Sequence, residues 1–91
     1  MTKKYRVYCD PGHGWVAVKR KELKNLGILG SISHFSYQRG NTVYLEEDAD
    51  ASLWVETYMK KFGAKPEFTT KHTNGSSPIR SYESFRAEVS E

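Results

Sequence analysis

Between residues 51 and 62 the apolar side chains Ala51, Trp54, Val55, Tyr58, Met59 and Phe62 recur at i, i+3, i+4, i+7, i+8 and i+11. That spacing puts all six on one stripe of an α-helix and scatters them over both faces of a strand. A helix with a single apolar stripe draws most of its stability from the surface it packs on, so the remaining chain has to provide that surface. The spacing predicts that Trp54, Tyr58 and Phe62 face the core. Asp48 or Asp50 is placed to cap the helix, and Glu46 and Glu47 suit the positive end of its dipole. Lys60 and Lys61 suit the other end, and Gly63 stops it. Capping and dipole account for this carboxylate cluster, so no metal is expected there.

The covering surface is read from alternation. Tyr5, Val7 and Cys9 alternate with Arg6 and Tyr8 as in a half-buried strand, and Trp15 to Val18 forms a second. Arg20 to Leu26 suits a short helix ended by Gly27. Ile32 to Gln38 and Thr42 to Glu47 read as a hairpin around Arg39-Gly40-Asn41. A two-residue loop would put Phe35 and Tyr37 with Tyr44. A three-residue loop aligns Phe35, Tyr37, Val43 and Leu45 on one face and separates apolar from polar better, so it is the expected register. Glu67 to Lys71 reads as the fifth strand, and Ile79 to Tyr82 offers one more beyond it. The expectation is an α+β fold of order β-β-α-β-β-α-β, with an antiparallel sheet and the long amphipathic helix packed on it. Residues 1–85 form one domain and 86–91 a C-terminal tail.

Composition bounds the function classes. The 91 residues include 13% aromatic side chains, which large-ring cores use and disordered chains lack. No apolar run approaches the ~18 residues that span a bilayer, and Met1 to Asp10 has no signal-peptide hydrophobic region. With a single Cys9 and no disulfide, the expected location is the cytoplasm. The net charge of +3 is unevenly distributed: residues 1–24 carry seven Lys and Arg against two acids, residues 25–59 one against five. Such polarity steers charged partners.

Residues 9–18, CDPGHGWVAV, hold the densest constellation. Asp10-Pro11-Gly12-His13 has the composition of a type II turn, with Pro fixing φ at one position and Gly supplying positive φ at the next. On that reading His13 is a polar side chain free to serve the surface. The DPGHG run also resembles the zinc-dependent cell-wall amidases, a resemblance that implies zinc on His13. The match ends after five residues, because Trp15 stands where those enzymes usually continue with glycine. Cys9, His34, His72 and the acids show no spacing that completes a three-ligand site, so neither metal nor cofactor is expected.

A broader pattern spans the chain. The runs YCDPGHGWVAV, ISHFSYQRGNTVYLEEDADA and IRSY together resemble a group of small, largely uncharacterised proteins encoded by phages and prophages. The resemblance implies a phage-type origin, and with it a non-enzymatic protein that binds and modulates a host protein, for instance a defence system, in the host cytoplasm. The residues expected to carry this binding are Asp10, His13, Trp15, Arg80 and Tyr82. The alternative is a nucleic-acid-binding domain that uses the basic patch Lys19, Arg20, Lys21 and Lys24. A partner-binder should expose an aromatic patch, and a nucleic-acid binder a continuous basic one. The oligomeric state stays open.

Overall fold

The computed structural model describes residues 4–87. Two strands open the chain, β1 (Lys4–Cys9) and β2 (Gly14–Lys19), followed by the short helix α1 (Arg20–Asn25). After a 3-10 turn at Leu29–Ser31 come β3 (Tyr37–Arg39), β4 (Thr42–Glu46) and the long helix α2 (Asp50–Phe62). Strand β5 (Glu67–His72), a second 3-10 turn at Pro78–Ser81 and the two-residue β6 (Glu83–Ser84) finish the fold. The six strands form one sheet in the order β5-β1-β2-β4-β3-β6. Helix α2 packs on one of its faces, giving the expected α+β architecture. The sheet is mixed rather than wholly antiparallel. Helix α2 carries the chain from β4 back across the sheet, so β5 enters parallel to β1.

The covered face is aliphatic. Val16 and Val18 of β2 stand opposite Leu45 and Val43 of β4. All four are buried, together with Leu23 of α1 and with Ile28, Ile32 and Phe85 from the loops. Trp54, 0% exposed, is the central piece of α2. Its ring meets Tyr5 edge-on at 4.7 Å and lies 5.6 Å from Tyr58. The Tyr5 hydroxyl donates to Glu22 Oε1 at 2.6 Å, which ties α1 to β1. Burial, and then Glu22, push that hydroxyl's pKa up, so it remains a proton donor.

Several local expectations are corrected. The hairpin between β3 and β4 has a two-residue loop, because Arg39 pairs with Thr42 and Tyr37 with Tyr44. Gly40, with φ +59°, takes the first loop position, the one that a type II′ turn reserves for glycine. The three-residue register assumed that every apolar residue belongs to one face. In fact the aliphatic and aromatic residues sit on opposite faces, and Phe35 lies in the preceding loop, 66% exposed. The last turn of α2 overhangs the sheet, which leaves Phe62 57% exposed and Met59 exposed.

The stretch from Ile79 is a 3-10 turn and no strand, since Pro78 starts it and Ser77 Oγ accepts from Ile79 N. Neither Asp48 nor Asp50 caps α2. The Glu46 carboxylate accepts from the N–H groups of Asp48 and Ala49 at the helix entrance. Asp50 is instead buried and accepts from the hydroxyls of Ser33 and Ser36 and from Ser33 N. Of the expected tail, residues 88–91 lie outside the described residues. The carbonyls of Arg86 and Ala87 accept from the Arg20 guanidinium, and Phe85 is buried beneath it.

Candidate functional site

Among the described residues no α-helix covers the face of the sheet opposite α2; the segment 77–82 crosses part of it, with Arg80 on the Trp15 ring and Tyr82 against Tyr44, and the remainder is open. Strand alternation and register place Lys4, Arg6 and Tyr8 of β1 on this open face, with Trp15, Ala17 and Lys19 of β2. They are joined by Thr42, Tyr44 and Glu46 of β4 and by Tyr37 and Arg39 of β3. The rings touch one another across strands. Tyr8 meets Tyr44 at 5.9 Å and Tyr44 meets Tyr82 at 5.2 Å. Trp15 meets Tyr37 at 6.2 Å. Guanidinium groups lie on the rings: Arg39 is 5.1 Å from the centre of Tyr82, and Arg80 is 5.5 Å from that of Trp15.

One end of this face is organised by Asp10. Its carboxylate, with the side chain 1% exposed, accepts from five N–H groups. Gly12 N and His13 N donate to Oδ1 at 3.0 and 2.9 Å, closing the loop on itself. Ser77 N donates to Oδ2 at 2.9 Å. The Arg80 guanidinium grips both oxygens, Nε to Oδ2 at 2.5 Å and Nη2 to Oδ1 at 2.9 Å. The Arg80 hydrogen bonds, with those of Ser77, His13 and Gly12, hold the Asp10 carboxyl far below the usual carboxylate range. Asp10 N also donates to His13 O at 2.9 Å, so only Pro11 and Gly12 project from the hairpin.

Gly12 is required here for a different reason from the one expected. Its φ is not positive, so the loop is not the type II turn that its composition implied. A Cβ at Gly12 would instead lie 2.8 Å from Arg80 Nη2, which Asp10 holds in place. Glycine leaves room for the guanidinium.

Of the expected binding residues, the structure brings Asp10, His13, Trp15 and Arg80 into one cluster, and Tyr82 adjoins it through the ring ladder. Their roles differ. Asp10 and Trp15 are buried, Trp15 only 2% exposed, and both form the foundation of the cluster rather than its contact surface. His13 is exposed, its Nδ1 3.8 Å from Glu47 Oε2. A cleft of about 250 Å³ runs between His13, Trp15, Phe35, Tyr37, Glu46 and Arg80. Phe35 and Arg39 were missed by sequence reasoning. Their signal was the wrong-face register: once Tyr37 pairs with Tyr44, aromatic residues fill the positions that a half-buried strand normally gives to polar ones.

The alternative patch is divided. Lys19, Arg20, Lys21 and Lys24 line a hollow of about 600 Å³ with Leu29 and Asn41, and no ring borders it. The Arg20 guanidinium is committed elsewhere. It donates to Gln38 Oε1 at 3.1 Å and to two backbone carbonyls at 2.7 and 2.8 Å, and lies 5.2 Å from the centre of the Phe85 ring. Lys19 belongs to the open face. Lys21 and Lys24 stand exposed on α1.

Among the described residues, no group of three or more His, Cys, Asp or Glu converges as metal ligands, and no helix is long and apolar enough to cross a membrane. No protein family, curated protein or solved structure matches this chain.

Proposed function

We propose that the protein is a non-enzymatic binding module that engages a partner protein through the His13 end of the open face. The observation that carries this reading is a cleft walled by Phe35, Tyr37, His13 and Arg80 and fixed from beneath by the Asp10–Arg80 clamp. Aromatic residues and Arg are the side chains that dominate protein–protein hot spots. Tyr37, packed edge to face on the buried Trp15, loses little conformational freedom on binding, so more of its contact energy reaches the complex. The phage-type pattern of the sequence supports a host protein as the partner.

The test is cross-linking in host lysate with the wild-type chain, a His13→Ala/Phe35→Ala variant and a Lys21→Glu/Lys24→Glu variant. The expected result is a discrete partner that the wild type and the lysine variant capture and the His13/Phe35 variant loses. Equal capture by all three would overturn the assignment of this surface.

A further inference from the structure

We propose that the opposite, cationic end of the open face binds single-stranded nucleic acid, with a base against Tyr8 and Tyr44 and phosphates on Lys4, Arg6 and Lys19. A slot of about 320 Å³ lies there, bordered by these residues and by Thr42, Tyr5 and Glu22. Ala17 forms its floor. It pairs with Tyr44 and follows the large Trp15 on the same strand face, so its small side chain opens a hollow in an otherwise ring-filled surface. The edge-to-face Tyr8–Tyr44 pair makes the aromatic wall.

The cations at the rim are not spent on the fold. Among the described residues, Lys4 and Arg6 form no ion pair with an acid, and the Lys19 ammonium reaches only the Thr42 hydroxyl, at 3.3 Å. The carboxylate in the slot, Glu22, accepts from the Tyr5 hydroxyl. Rings beside unneutralised cations are what stacked bases with a phosphate backbone require.

A strand is favoured over a lone nucleotide because the surface continues. Tyr44 leads to Tyr82, and Arg39 covers Tyr82. A single strand is favoured over a duplex because bases reach a sheet face only when unpaired, and among the described residues no helix or ribbon projects from this face to enter a groove. The hollow that Lys19, Arg20, Lys21 and Lys24 line with Leu29 and Asn41 has no ring on which a base could stack. This inference does not rest on the protein-partner reading, which uses the other end of the face.

The experiment is fluorescence anisotropy of labelled 12-nucleotide oligo-dT and oligo-U with the full chain across a salt series. Three phosphate contacts predict that log affinity falls with log salt at a slope of about −2. Arg6→Gln/Lys19→Gln should weaken binding about tenfold at low salt and flatten the slope to about −0.7. Both positions are solvent-facing, and an unchanged melting curve keeps this variant informative. Tyr44→Leu, with Tyr8→Leu as the second ring variant, should weaken binding and leave the slope intact. Lys21→Gln/Lys24→Gln should change nothing. The proposal is overturned by absence of saturable binding at low salt, or by equal affinity for a duplex of the same length. Competition by thymidine monophosphate as effective as by the strand would also overturn it, as would a loss confined to the Lys21/Lys24 variant.

Discussion

The two faces of this sheet are built from the same strands by opposite rules. Beneath α2 the alternate positions hold Val16, Val18, Val43 and Leu45, branched side chains that interdigitate and exclude water. On the other side the alternate positions hold Tyr8, Trp15, Tyr37 and Tyr44, which no α-helix covers among the described residues; the segment 77–82 buries Trp15 and leaves the three tyrosines half-buried. Those rings pack edge to face, Tyr8 on Tyr44 and Trp15 on Tyr37. On the proposed reading the difference separates stability from recognition. A change on the covered face should be felt by the whole fold, and a change on the open face should be felt mainly by whatever binds there.

The largest expected effect is on the covered face. Trp54→Ala should cost about 3–5 kcal/mol, the range for removing a large buried ring, and a chemical denaturation curve measures it. A variant as stable as wild type would show that α2 does not anchor this face. Ser36→Ala comes next. Its hydroxyl donates to Asp50 at 2.5 Å and accepts from Glu46 N at 2.9 Å; Asp50 keeps its bonds from Ser33, so the loss unpairs the part-buried Glu46 N–H and removes one bond to the buried carboxylate, at a cost of about 1–3 kcal/mol.

The Asp10 clamp lies between the two rules and has a pH signature. A carboxyl whose folded pKa is depressed contributes stability that is complete above its unfolded value, about 3.9, and is lost as pH falls below that value toward the folded one. Asp10→Asn should therefore melt below wild type at neutral pH, and the gap should narrow progressively below about pH 4. A gap independent of pH would place the stabilisation in the shape of the loop rather than in the charge. Gly12→Ala should lower the melting temperature as well, by displacing the Arg80 guanidinium. The smallest effect on stability should be Phe35→Ala, within about 0.5 kcal/mol of wild type, as for surface positions in general. If Phe35→Ala proves strongly destabilising, the open face also bears the fold and the contrast between the faces weakens.

The sequence showed periodicity more clearly than pairing. Helix α2 was legible because its stripe repeats within 12 residues and needs no knowledge of a partner. The β3–β4 register was not, because the rule of one apolar and one polar face fails when both faces are apolar in different ways. Asp10 and Arg80 were both legible as site residues. Their pairing across 70 positions was not, and the composition of the loop suggested a glycine constraint different from the one found. The split of the Lys19–Lys24 run has the same origin. Arg20 looks solvent-facing in one dimension and is drawn over Phe85 by a segment more than 60 residues away.

The Asp10 clamp also sets a timetable for biosynthesis. Hairpin β1–β2 is complete once about 20 residues have left the ribosome, yet two of the groups that bind the Asp10 carboxylate belong to residues 77 and 80. Until that segment emerges, the loop carries a carboxylate with neither its arginine nor the N–H of Ser77, and the cleft lacks one wall. Closing so long a loop is slow relative to local pairing. The cleft proposed for recognition is therefore completed only after residue 80 has emerged, and a nascent chain presents Tyr8 and Trp15 before that cleft has all its walls.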